Sequence, residues 1–113
     1  EPDSDELLAQ LFADGQSNVQ VYGTGTVAAI LSDDLEGNRH QRFIIELKSK
    51  QTLLISHNID LSSRIDNLFL NDRVEFSGEY EWNDKGGVIH WTHHDPEGKH
   101  VDGWILHNNT IYQ

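Results

Sequence analysis

Residues 19 to 31, VQVYGTGTVAAIL, constrain the fold more than any other stretch of this chain. They read as one long strand interrupted at Gly23 and Gly25, where a bulge or sharp bend fits. A strand bent in this way can belong to both sheets of a small barrel. Four more strand signals follow. HQRFIIEL alternates, with Phe43, Ile45 and Leu47 on one face and His40, Arg42, Ile44 and Glu46 on the other. TLLISH pairs back on it, placing Leu53, Ile55 and His57 together. RVEFSGEYEW sends Val74, Phe76, Gly78, Tyr80 and Trp82 one way and Glu75, Ser77, Glu79 and Glu81 the other. After the NDKGG turn, VIHWTHH returns.

Five strands with one longer connection between the third and fourth predict a mainly β fold, a small OB-like Greek-key β-barrel. An SH3-like barrel is the first alternative and a plain antiparallel sandwich the second. The connection, NIDLSSRIDNLFLND, is expected to hold a helical turn around Arg64 to Leu68. Residues 1–16 form a separate acidic amphipathic helix, capped by Ser4 and stopped by Gly15, with Leu7, Leu8, Leu11 and Phe12 as its apolar stripe. Residues 17–113 form the barrel, which ends in a C-terminal hairpin, WILHNNTIYQ, closed by Asn108-Asn109.

Charge narrows the partners. The net charge is −11, and the first 38 residues carry eight acids and no Lys or Arg. Such a chain repels phosphate backbones at long range, which argues against non-specific duplex binding. No apolar run approaches the roughly eighteen residues needed to cross a bilayer. The chain starts at Glu1 and contains no Met, so a trimmed, exported product (secreted or periplasmic) is expected. It also has no Cys, which excludes disulfides and thiolate chemistry. Serine-elbow, P-loop and dinucleotide fingerprints are missing as well.

The chemistry-bearing residues gather in three places. GGVIHWTHHDPEGKHVDGW, 86–104, holds four of the seven histidines. If the strand continues through it, Ile89 and Trp91 face the core and His90 the outer side. His93, His94, Asp95, His100 and Asp102 surround the Pro96-Glu97-Gly98 turn and are the candidate ligands for a divalent metal, Zn or Mn. Their spacing matches no established zinc motif, so hydrogen bonding within the loop is the alternative. Trp91 and Trp104 bracket the loop as anchors or as a stacking platform.

NRHQRF, 38–43, is the dense cationic cluster. Arg39, His40 and Arg42 suit an oxyanion, unless Arg42 instead pairs across strands with Glu79 or Glu81. In SHNIDL, His57 and Asp60 form a base–orienter pair or, more simply, the start of a capped turn.

Read together, RHQRF, HNIDL and GGVIHWTHHDPEGKHVDGW resemble a family of short exported bacterial proteins classed as a domain of unknown function, over roughly residues 17–113. The resemblance implies export and a small β-barrel, and it implies no activity. Three readings of function follow. The first is a binding module whose Arg39, His40, Arg42, His57, Asp60, Trp91 and Trp104 surround a small anionic, nucleotide-like or glycan ligand. The second is a phosphodiester or related ester hydrolase with His40 or His90 as base, Arg42 as oxyanion stabiliser and a possible divalent metal. The third is an acidic partner or inhibitor domain that meets a basic protein. The first two need the Arg42 strand and the 90–102 stretch to meet over one concavity.

Overall fold

A computed structural model describes residues 4–113. Helix α1 (Ser4–Asp14) precedes strands β1 (Val19–Ile30), β2 (His40–Glu46), β3 (Thr52–Asn58), β4 (Arg73–Glu81), β5 (Val88–His90), β6 (Trp104–His107) and β7 (Thr110–Tyr112). The first five strands close in the order β1-β2-β3-β5-β4-β1, with β3 and β5 parallel. This is the OB-like barrel that the strand pattern predicts.

Closure depends on β1. Its first part, Val19–Thr26, pairs with β4, and its last part, Thr26–Ile30, pairs with β2. The register shifts between Val27 and Ala29, so the bulge lies just past the two glycines. The glycines serve close approach instead. A Cβ at Gly23 would stand 2.7 Å from the Phe76 ring, and one at Gly25 would stand 3.0 Å from the Glu46 carbonyl.

Inward positions of the strands build the core. Phe43, Ile45, Leu53, Ile55, Val74, Phe76, Tyr80, Ile89 and Ile105 are fully buried. Each such side chain stabilises the fold by about 2 kcal/mol through removal from water. Leu8 and Leu11 of α1 join this core, while Leu7 and Phe12 stay partly exposed. The helix ends in a left-handed cap: Gly15 N–H donates to the Phe12 carbonyl and Gln16 N–H to that of Leu11, with Gly15 at φ 65°. The Gln51 side-chain amide donates to the carbonyls of Leu8 and Gly86, tying helix and barrel together.

Three local expectations are corrected. Trp82 does not join the inward row of β4, because the strand stops at Glu81. Its ring lies against Phe12, and its indole N–H donates to the Phe12 carbonyl. No helical turn forms around Arg64 to Leu68, where Asn67 sits at φ 60°. There the buried Gln41 amide acts as a short strand: its Nε2 donates to the Ile65 carbonyl at 2.9 Å, and its Oε1 accepts from Ile65 N–H at 2.8 Å. Finally, β5 stops at His90, because Trp91 takes φ 58° and breaks the alternation. Trp91 therefore leaves the core face, and Thr92 and His93 are both buried.

The C-terminal hairpin is as expected, with Asn108 and Asn109 at φ 49° and 65°. β6 continues along the edge of β4 beyond β5, so the 91–103 loop bridges two strands that share one neighbour.

Candidate functional site

The outward face of β2, β3, β5 and β4 carries the side chains at issue. Ile44 lies opposite Leu54, Leu54 beside Val88, and Val88 opposite Glu81. One step along, Arg42 lies opposite Ser56, and His90 opposite Glu79. The Arg42 strand and the imidazole-rich stretch thus share a face, with β3 between them. Arg42, however, is engaged at Nε, which donates to the Ser32 carbonyl at 3.0 Å, in the loop joining β1 and β2. The other arginine is also engaged. Arg39 gives its backbone N–H and its Nε to the two oxygens of Asp60, at 2.8 and 2.7 Å. That bonding, backbone donor first, holds the Asp60 carboxyl below its ordinary range.

Across β4 and β5 the arrangement is more open. Donor atoms of Glu79, Glu81 and His90 all lie within 4.8 Å of one another. His90 Nε2 is buried without a hydrogen-bond partner among the described residues. Glu79 Oε2 stands 3.6 Å from it, too far for a hydrogen bond. Desolvation keeps the His90 imidazole below its ordinary pKa, against the opposing pull of Glu79 and Glu81.

His100 braces this group from the loop. Its Nε2 meets Glu79 Oε1 at 2.5 Å, and its Nδ1 meets the Val101 carbonyl at 2.8 Å. Both ring nitrogens therefore face acceptors, the setting of an imidazolium. Desolvation is the largest single influence and lowers its pKa, but those two hydrogen bonds and the charges of Glu79 and Asp95 together raise it. The ring lies flat on Trp91, with centroids 3.9 Å apart and an interplanar angle of 7°. Beside this stack a groove of about 500 Å³ opens between Leu61, Trp91, Pro96 and the polar Asp95, Glu97, Lys99 and His100.

Over residues 2–113 the chain matches the family described as protein of unknown function (DUF3465). It belongs to that family. The match takes in α1, which the sequence resemblance left outside. No curated protein matches the chain.

In this DUF3465 domain the five loop residues expected to hold a metal do not share a centre; each has a partner of its own. His93 is buried, with Nδ1 on the His94 carbonyl at 2.7 Å. His94 Nδ1 pairs with Asp102 Oδ2 at 2.9 Å. The Asp95 carboxylate accepts from the backbone N–H groups of Glu97, Lys99 and His100, which hold its pKa low and wind the loop around it. Gly103 seats the far end of the loop, since a Cβ there would collide with the Trp91 carbonyl.

Three other candidates are placed as follows. His57 is enclosed in the core: Nε2–H donates to the Ser63 carbonyl, and Nδ1 accepts from the Thr92 hydroxyl at 2.7 Å. Burial brings its pKa down to about 4, and Asp60 is not bonded to it. His40 Nδ1 meets the Asn38 carbonyl at 2.8 Å. Trp104 packs against Tyr22 on the outer side of β6, opposite Ser77.

Glu79 and Glu81 are the residues that sequence reasoning used only as pairing partners for Arg42. The signal for them was present. Alternation puts both outward, and the NDKGG turn sets them opposite His90 and Val88.

Proposed function

We propose that this DUF3465 domain is a binding module, exported as its resemblance implies, that holds a hydroxyl-rich ligand of glycan type in the groove beside Trp91. The lining of that groove carries the reading: an apolar wall of Leu61, Trp91 and Pro96 with a polar rim of Asp95, Glu97, Lys99 and His100. Sugar rings offer C–H faces to such a wall and hydroxyl donors to carboxylates. Oligosaccharides are also among the ligands that OB barrels take over their faces and loops. Anionic ligands have less support on this face, because Arg39 and Arg42 already bond to oxygens of their own chain. The same engagement of Arg42 removes support from a hydrolase that would use it beside His40 or His90.

The test is a backbone-amide NMR titration, in the presence of a chelator, with neutral oligosaccharides and separately with nucleoside monophosphates. Neutral sugars at up to about 10 mM are expected to shift Leu61 and residues 91–103, with weakening in Trp91→Ala. An unmoved groove would remove the proposal.

A second reading, a small-anion site, rests on the groove of about 550 Å³ at the other end of β3, where Lys48, Lys50 and Arg73 (itself paired with Glu75) meet Thr24 and Thr26 beside Asp5 and Glu46. Nucleotide-induced shifts confined to those residues would favour it instead.

A further inference from the structure

We infer that Glu79, Glu81 and His90 form a binding site for a divalent transition-metal ion, distinct from the loop set the sequence suggested. The inference does not depend on the glycan reading. It begins with the register. Glu79 lies opposite His90 on adjacent antiparallel strands, and Glu81 follows two residues later on the same outward face. Their donor atoms lie within 4.8 Å of one another. Oxygen and nitrogen donors bound to one ion at about 2.0–2.2 Å stand at most about 4.4 Å apart, so small side-chain rotations bring all three onto one centre.

What the three groups lack in the protein points the same way. His90 Nε2 is buried and unpartnered, which is costly for a polar atom. Among the described residues, neither Glu79 nor Glu81 pairs with a Lys or Arg, and His100 engages only Oε1 of Glu79. Two carboxylates and an imidazole lone pair directed at one small volume are a donor set in need of a cation. A water could answer the nitrogen alone, but it brings no positive charge to Glu81.

The surrounding residues are arranged as a metal site requires. Glu79 gives Oε1 to His100 at 2.5 Å and turns Oε2 toward His90. His100 is fixed in turn by the Val101 carbonyl and by its stack on Trp91. A ligand carboxylate held by an outer hydrogen bond in this way keeps its orientation without the ion. One imidazole and two carboxylates, with no thiol in the chain, suit Zn²⁺ or Mn²⁺, and Zn²⁺ binds the tighter of the two. Partial exposure of the three residues leaves coordination positions for water. Calcium, which prefers an all-oxygen shell, fits less well.

The experiment uses the untagged chain, stripped with chelator and free of sugar. Calorimetry is expected to count one Zn²⁺ per chain, and Mn²⁺ is expected to broaden the amides of residues 78–82 and 88–91 first. Glu81→Gln and His90→Gln should each abolish saturable uptake. His100→Gln should weaken it by about 10-fold, as loss of an outer-shell partner does. His94→Gln should leave it unchanged. Amide spectra of the variants away from the site establish that they remain folded. Undiminished uptake in Glu81→Gln and His90→Gln, or broadening centred on His94 and Asp102, would overturn the inference. So would the absence of any bound ion.

Discussion

The stretch from Arg39 to Phe43 and the stretch from Glu79 to His100 both concentrate polar side chains on strands, yet they use them oppositely. In the first, the chain itself engages a part of each long side chain: Arg39 Nε by Asp60, the Gln41 amide by Ile65 and Arg42 Nε by the Ser32 carbonyl. In the second, among the described residues, His90 keeps a buried nitrogen without a partner, Glu81 pairs with no Lys or Arg, and Glu79 has His100 on only one of its two oxygens. Density of functional residue types is similar in the two. Only the second holds a buried side-chain atom without a partner among the described residues, and that is what marks it as a site.

If the first stretch is structural, its largest effect should come from the residue least like a ligand. Gln41→Ala removes both bonds to Ile65 and leaves a backbone N–H and a carbonyl unpaired in the interior. At about 1–3 kcal/mol for each orphaned group, urea denaturation should show a loss of about 4 kcal/mol. A loss under about 1 kcal/mol would mean that water reaches Ile65 and that the clamp contributes little.

The next effect comes from a buried imidazole on β3. His57 is fully bonded in the core with its pKa near 4, below the ordinary 6.5. Above about pH 6.5 neither the folded nor the unfolded state binds the proton there. As pH falls toward 4 the unfolded chain takes it up and the folded chain does not, so stability declines. The decline amounts to about 3 kcal/mol, at 1.36 kcal/mol per pH unit. His57→Gln keeps a donor for the Ser63 carbonyl and should flatten the stability curve across that window relative to wild type. Parallel curves for the two proteins would show that His57 is not the group responsible.

Much of the architecture was legible because strand alternation is local. The inward rows of β2, β3 and β4 could be read residue by residue, and Asn108-Asn109 announced its turn. What escaped was set by contacts distant in sequence. Trp91 adopts positive φ where its carbonyl lies against Gly103 and its ring against His100, so the alternation that assigned it to the core ended one residue early. Gln41 belongs to the inward row but spends its amide on a segment 24 residues away. The site was half legible for the same reason. His90 stood out by residue type, whereas Glu79 and Glu81 looked like any outward acids until register set them beside it.

The smallest effect tests the comparison from its other side. Arg39 is more than half exposed, and its pair with Asp60 lies at the surface, where water competes for both charges. Arg39→Gln should therefore leave the urea midpoint within error. Because Arg39 Nε is already held by Asp60, the same substitution should not change the affinity of any ligand of the β4–β5 face. Measuring both on one variant matters. If affinity falls while stability holds, Arg39 exchanges Asp60 for the ligand on binding, and the cationic stretch rejoins the site.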